Sequence, residues 1–153
     1  MKKIITSGVI CVIIDQIIKA LIINFYNIGE STTIIKNFFS ITYVQNNGAA
    51  FSILSGNRIL LIGITIIAVL CIYYFLIKDE KKNLVLYGIL YGGIIGNFID
   101  RIFRESVVDF LDFKIFGYNF PIFNFADICI VVSILLIIFF SIKEALYGKN
   151  RNK

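Results

Sequence analysis

Two aspartates in the second half of the chain, Asp109 in VVDF and Asp127 in FNFAD, are the residues best suited to chemistry. The chain contains no histidine, which excludes a Ser/His/Asp triad, a Cys/His pair and an HExxH zinc site. Two carboxylates held about 3 Å apart cannot both ionise, so such a pair holds one proton. The ionised member then activates water while the protonated member polarises a scissile carbonyl. This is the most economical hydrolytic device that the sequence can build, although two aspartates can also carry protons or ions.

Further polar residues stand within or beside long apolar stretches, where an ionisable group is costly to bury and is a candidate for function. Asp15 and Lys19 are four apart, in the order that favours an ion pair on a helix. Asn97 and Asp100 are three apart and therefore face the same way, with Arg101 beside them. The structural alternatives are an internal ion pair for the first two and a position at the membrane interface for Asp100 and Arg101.

Glycines recur every four residues just before these polar groups, at Gly88, Gly92 and Gly96, with Gly93 beside them. Such spacing removes side chains from one helix face, so that another helix or a lipid chain can lie against the backbone. Helix packing is the preferred interpretation, and a face that receives acyl chains is the alternative.

The composition places these residues in a membrane protein. Hydrophobic residues make up 58% of the 153 residues, charged residues 16%, and the mean hydropathy is +0.86, whereas soluble proteins carry roughly 25% charged residues. The N-terminus resembles a signal peptide but lacks a small-residue cleavage site, so we expect a retained first helix. A span needs about 20 mostly apolar residues. We predict one membrane domain over residues 1–153, with four transmembrane helices at 4–26, 59–77, 84–102 and 122–142.

The distribution of basic residues predicts the orientation of these spans. An even number of spans places both termini on one side. Nine basic residues lie on that side, namely Lys2, Lys3, Lys78, Lys81, Lys82, Lys143, Lys149, Arg151 and Lys153. Five lie on the other, namely Lys36, Arg58, Arg101, Arg104 and Lys114. By the positive-inside rule both termini are cytoplasmic in the cell (inner) membrane. Orientation also explains the net charge of +5, so we expect no nucleic-acid partner.

The two extracytoplasmic segments, 27–58 and 103–121, contain β-branched and aromatic runs typical of strands. The first is interrupted at Asn46–Gly48, a turn signal between possible strands, and the second ends at Pro121. We therefore predict an integral membrane α-helical fold, with a small extracytoplasmic β-rich platform on four helices.

These boundaries place the two aspartates at one level of the membrane. Asp109 follows the third span, and Asp127 comes five residues after Ile122, about 8 Å below the predicted start of the fourth helix. Both carboxylates are thus expected near the outer membrane surface.

The three cysteines offer no chemistry of their own. Cys11, Cys71 and Cys129 stand singly in apolar runs without the CxxC spacing of a metal or redox pair. We predict that all three are small buried hydrophobic residues.

Five blocks of the sequence, in order and across the whole chain, resemble the lipoprotein signal peptidases (signal peptidase II). They are DQIIK at 15–19, NNGAAF at 46–51, GNFIDR at 96–101, VVDF at 107–110 and FNFAD at 123–127. One block would be a weak signal, whereas five in order are highly specific. Two positions depart from the family pattern, because Ile94 and Ile128 stand where small residues are common.

The resemblance implies a membrane-embedded aspartic endopeptidase that cuts a signal peptide from a prolipoprotein just before its diacylglyceryl-modified cysteine. Asp109 and Asp127 are then the implied catalytic pair. The residues implied to shape the site or hold substrate are Asn46, Gly48, Asn97, Arg101 and Asn124, and those implied to support it are Asp15, Lys19 and Asp100. The implied partners are diacylglyceryl-modified prolipoproteins and membrane lipid. We expect no metal, no organic cofactor and a monomer.

Two other functions compete with this hypothesis. A small proton- or ion-coupled transporter would use Asp15, Asp100 and Asp127 as relay carboxylates, but its site would sit at the bilayer midplane between repeats. Here the polar groups gather at the outer end and no repeat is visible. A noncatalytic adaptor would instead bind lipidated proteins through the glycine face.

Overall fold

The computed structural model describes residues 1–48, 56–78 and 83–148. Within these residues, four long helices and four short strands alternate in the order α1-β1-β2-α2-α3-β3-β4-α4. The helices are α1 Lys2–Phe25, α2 Arg58–Lys78, α3 Leu84–Phe103 and α4 Phe125–Gly148. The strands are β1 Ser31–Ile35, β2 Phe39–Asn46, β3 Val107–Ile115 and β4 Tyr118–Asn119.

Three of the helices, α1, α2 and α4, are long and apolar enough to cross a membrane, judged over the described residues. Most of their large apolar side chains are exposed, as expected of helices surrounded by lipid. The predicted multi-pass membrane architecture is therefore confirmed. Cys11 and Cys129 are buried as predicted, but Cys71 is exposed. The prediction for Cys71 is wrong because it lies on α2, a helix that buries little of its surface against the rest of the protein.

Helix α3 lies between α1 and α4, and its glycines permit the close approach of both. A Cβ atom at Gly92 would lie 2.7 Å from the carbonyl oxygen of Gly8 in α1. A Cβ atom at Gly93 would lie 2.5 Å from the carbonyl oxygen of Ala126 in α4. Only glycine allows such backbone contact between helices. The packing interpretation is confirmed, and the acyl-chain alternative is wrong because α1 and α4 already cover these faces.

The strands form one antiparallel sheet in the order β1-β2-β3-β4. The turn between β1 and β2 falls at residues 36–38, where Asn37 takes a positive φ of 59°, a conformation that asparagine tolerates. The turn signal at Asn46–Gly48 marks instead the end of β2, and the Asn46 side chain accepts a 2.9 Å bond from the Gly48 N–H. Residues 49–55, where a following strand would lie, are outside the described residues.

The sheet packs against the end of α1 through a small core. Ile22 of α1 contacts Tyr43 of β2 together with Val108 and Phe110 of β3. This contact fixes β3 at the level where α1 ends and α4 begins, so residues of the sheet can reach the ends of the helices.

The start of α4 differs from the prediction. The helix begins at Phe125, three residues later than predicted, because Phe123 still pairs with Leu111 of β3 through bonds of 2.8 and 3.2 Å. Asp127 is consequently the third residue of the helix, about 3 Å from its start, and not one turn below it. The predicted 8 Å depth is therefore wrong.

Candidate active site

The first turn of α4 is closed by a reciprocal pair of hydrogen bonds. The Asn124 side-chain oxygen accepts from the Asp127 N–H at 3.0 Å, and the Asp127 carboxylate accepts from the Asn124 N–H at 3.1 Å. This is the arrangement of a capping box, with an asparagine at the N-cap and a carboxylate three residues later. It holds Asp127 at the helix N-terminus with its carboxylate partly exposed.

Asp109 lies on β3 and is 3% exposed. Its two oxygens accept from the side-chain amides of Asn124 at 2.7 Å and Asn46 at 2.9 Å. Burial in a poorly solvated site, reinforced by the nearby charge of Asp127, raises the pKa of Asp109 to about 7. This carboxyl group therefore retains its proton for a large fraction of the time at neutral pH.

Asparagine side chains connect the two aspartates. Asn124 bonds to both of them, because its backbone binds Asp127 while its amide donates to Asp109. Asn97 of α3 donates to Asp127 at 2.8 Å and accepts from the Asn124 amide at 3.1 Å. Since each amide is fixed at both ends, the orientation of one amide dictates that of the next.

A buried lysine orients this amide chain from the other side. The Lys19 ammonium is fully buried and bonds to Asn97 Oδ1 at 2.9 Å, Asp15 Oδ2 at 3.0 Å and Asp100 Oδ2 at 2.8 Å. These three acceptors use all three of its N–H donors. The lysine thereby fixes Asn97 with its oxygen inward and its NH₂ group toward Asp127.

The sequence analysis missed two residues of this network. Arg104 forms an ion pair with Asp100 and donates to the Gln16 side-chain oxygen at 2.8 Å. The Gln16 amide in turn donates to Asp15 at 3.1 Å. Arg104 could have been found, because it stands four residues after Asp100 on one helix face. Gln16 is a polar residue in an apolar run, directly beside Asp15.

Arg101 lies at the rim of the site and keeps a donor unused. Its guanidinium donates to the Gly48 carbonyl at 3.2 Å, while its buried Nε finds no hydrogen-bond partner within the described residues. Its positive charge interacts with those of Asp109 and Asp127. Arg101 is thus a cation beside the carboxylates, with a buried N–H group that no described residue accepts.

The structure brings the predicted site residues into two adjoining groups. One surrounds the carboxylate pair and contains Asp109, Asp127, Asn46, Gly48, Asn97, Arg101 and Asn124. The other is the buried ion cluster of Asp15, Lys19 and Asp100. The Lys19–Asn97 bond joins them.

The two departures from the family pattern lie in different surroundings. Ile94 lines an apolar cavity of about 250 Å³ between α2 and α3. Ile128 is 38% exposed on α4.

Comparison with known proteins gives a consistent assignment. Residues 8–143 match the family model described as signal peptidase (SPase) II. A relative named lipoprotein signal peptidase, from Staphylococcus aureus, is 44% identical over 147 residues, which cover 94% of this chain and 90% of the relative. The protein of that name from strain Newman shows the same identity and coverage.

Two solved structures described as a bacterial membrane enzyme share the fold. One has a TM-score of 0.85 and 42% identity, and covers 95% of this chain and 90% of its own. The other has a TM-score of 0.82 and 43% identity, with coverage of 94% and 95%.

Proposed function

This chain belongs to the signal peptidase II family, and we propose that Asp109 and Asp127 are its catalytic residues. The activity of the family is the removal of signal peptides from prolipoproteins, which makes this chain a membrane peptidase. The observation that carries the proposal is the bridging of both carboxylates by one residue, Asn124. The family assignment displaces the transporter and adaptor hypotheses.

The two aspartates have different environments and therefore different roles. Asp109 is buried and has a pKa near 7, so it is the carboxylic acid that donates a proton. Asp127 is partly exposed and accepts hydrogen bonds from Asn97 and the Asn124 N–H, so it is the carboxylate that meets water. Carboxylates in contrasting environments divide acid and base roles in this way.

The reaction then proceeds by proton exchange between the pair and the peptide. Asp127 takes a proton from water as the water oxygen attacks the scissile carbonyl carbon, while Asp109 donates its proton to the carbonyl oxygen. The resulting diol collapses when Asp127 passes its proton to the leaving amine. Asp109 recovers a proton from the diol, which returns both groups to their starting states.

Arg101 and the end of β2 are placed to hold the substrate backbone. The Nε–H of Arg101, which has no hydrogen-bond partner among the described residues, would supply a donor to a substrate carbonyl. Asn46 connects Asp109 to Gly48 through its two amide atoms, bonding to each at 2.9 Å. A displacement of β2 would therefore change the hydrogen bond that Asn46 donates to Asp109.

We further propose that α3 forms a fourth span, that both termini are cytoplasmic and that the site lies near the extracytoplasmic face. The support is the packing of α3 between two membrane helices and the excess of basic residues on the terminal side. At that level a monomer can receive a prolipoprotein anchored in the bilayer and cut it before the diacylglyceryl-modified cysteine.

The test is cleavage of a diacylglyceryl-modified prolipoprotein by purified protein, followed as a mass shift, with a metal chelator present. Asp112→Asn is a matched control, because Asp112 lies on the same strand but bonds to Thr42 at 2.7 Å. We expect cleavage by the unmodified protein and by this control, and none by Asp109→Asn or Asp127→Asn. Full cleavage by either dyad variant would refute the assignment.

A further inference from the structure

The hairpin between β3 and β4 has a tip that breaks the usual sequence rule for its turn. Pairing of Ile115 with Tyr118 leaves the two-residue loop Phe116–Gly117, in which φ is 49° and then 83°. Two-residue turns with both φ values positive favour asparagine and glycine. A bulky residue with positive φ is a conformational outlier. The β1–β2 turn, by contrast, places Asn37 at its positive φ.

Packing within the protein does not compensate this backbone strain. The Phe116 side chain is fully exposed, and its neighbours Ile115 and Tyr118 are exposed to 41% and 63%. A sequence that violates a local rule without a gain in the folded core marks a functional position. The described residues therefore give no packing reason for a phenylalanine at this position.

The two hairpin ends lie side by side and form one patch. The Lys114 N–H of β3 donates to the Phe38 carbonyl of the β1–β2 turn at 2.9 Å. The side chains of Phe38, Lys36 and Lys114 are exposed. We name Lys36, Phe38, Lys114, Phe116 and Tyr118 the tip patch. It combines three exposed aromatic rings with two positive charges.

We propose that the tip patch docks into the surface of the lipid leaflet beside it, with Phe116 in the acyl boundary and the two lysines on lipid phosphates. Aromatic and basic side chains together are typical of membrane interfaces, and anionic headgroups attract lysines close to the surface. The sheet packs against the end of α1, one of three helices that are long and apolar enough to cross a bilayer, so a lipid surface is the partner nearest to hand. Asn46 lies on β2 and Asp109 on β3. Docking would fix the ends of these two strands that lie next to the tip patch.

Tryptophan fluorescence gives a direct test, because the chain contains no tryptophan. Phe116→Trp protein is placed in nanodiscs of phosphatidylcholine and phosphatidylglycerol. We expect blue-shifted emission, quenching by acyl-brominated lipid and protection from iodide. Phe139→Trp, at an exposed position of α4, is the lipid-facing reference, and free N-acetyltryptophanamide is the aqueous one. Iodide quenching equal to that of the free compound would overturn the proposal, as would protection from iodide without quenching by brominated lipid, which indicates a protein contact.

A second pair of variants separates docking from folding. Phe116→Asn supplies the residue that the turn prefers, so the hairpin and the melting temperature should be maintained. With Tyr118→Trp as reporter, we expect Phe116→Asn to decrease quenching by brominated lipid several-fold. Lys36→Gln with Lys114→Gln should abolish the increase in quenching that phosphatidylglycerol causes. Equal quenching with and without Phe116 would contradict docking. None of these readouts requires catalysis, so a negative result would not affect the assignment of Asp109 and Asp127 as the catalytic pair.

Discussion

The molecule contains two aspartate pairs close together, and the group that bridges each pair differs. Asp15 and Asp100 share the ammonium of Lys19, at 3.0 and 2.8 Å. Asp109 and Asp127 share Asn124, which is neutral. A lysine offsets part of the negative charge of the two carboxylates that it bridges, whereas a neutral amide offsets none. The first pair is therefore held by a buried cation, and the second has an amide bridge with the charge of Arg101 nearby.

The largest expected effect comes from removing one member of the amide-bridged pair, Asp109 and Asp127. Asp127→Asn retains a side-chain acceptor for the helix cap but cannot take a proton from water. We expect cleavage to fall by roughly 10²–10⁴-fold, measured as single-turnover rates on the lipidated substrate. The melting temperature should change little, and a variant that unfolds would be replaced by Asp127→Ser, which also lacks a carboxylate.

Removing the lysine that bridges Asp15 and Asp100 should decrease the free energy of unfolding. Lys19→Met leaves the buried Asp15 carboxylate without a cation and leaves Asp100 with its ion pair to Arg104 alone, and breaking a buried pair costs about 3–5 kcal/mol. Reversible unfolding in mixed micelles measures this loss. Lys143→Met, at an exposed position of α4, is the matched control and should be neutral. A Lys19→Met protein as stable as the control would show that the cluster does not hold α1 to α3.

Lys19 also orients Asn97, so a double variant sharpens the comparison. Lys19→Met with Asp15→Asn removes one charge of each sign and should recover part of the lost stability. It does not restore the bond that fixes the Asn97 amide. We therefore expect stability to recover more than kcat. Equal recovery of both would argue that the network has no role in positioning the dyad.

Glycine spacing offers a smaller perturbation of the same cluster. A Cβ at Gly96 would lie 2.5 Å from Asp15 Oδ2, whereas a Cβ at Gly63 would meet nothing within 4 Å. We expect Gly96→Ala to cost about 1–3 kcal/mol through overpacking and Gly63→Ala to have no such cost. The free energies of unfolding of the two variants are measured in parallel. Equal values would contradict the close approach of Gly96 to Asp15.

The pH dependence of cleavage tests the roles within the dyad. Asp109 must be protonated to donate, and its pKa is about 7, so activity should fall as the pH rises through that value. The expected limit is about tenfold per pH unit above the pKa. In Asp112→Asn the same profile should be retained. A rate that rises between pH 7 and 9 would exclude Asp109 as the acid.

Much of the scaffold could be predicted from local pattern. Apolar length predicted the membrane helices, and the spacing of Gly88, Gly92 and Gly96 predicted helix packing. Five blocks in order across the chain predicted the family. The helix signals each lie within one segment of sequence, whereas the family signal depends on the order of all five blocks.

Features set by tertiary pairing could not be predicted. The late start of α4 depends on the pairing of Phe123 with Leu111, and that start makes Asn124 the cap that bridges both aspartates. The connection from Gln16 to Arg104 joins residues 88 positions apart. Phe116 stands at a positive φ that its residue type disfavours, so local propensity argued against the turn that the chain adopts.

The central claim is that Asp109 and Asp127 form one unit whose buried member, Asp109, titrates near neutral pH. The direct test is a carboxyl titration of selectively labelled protein by isotope-edited infrared spectroscopy, with Asp109→Asn used to assign the band. We predict that Asp109 titrates near pH 7 and at lower pH in Asp127→Asn, because the neighbouring charge is removed. A titration of Asp109 near pH 4 that Asp127→Asn leaves unchanged would contradict the account.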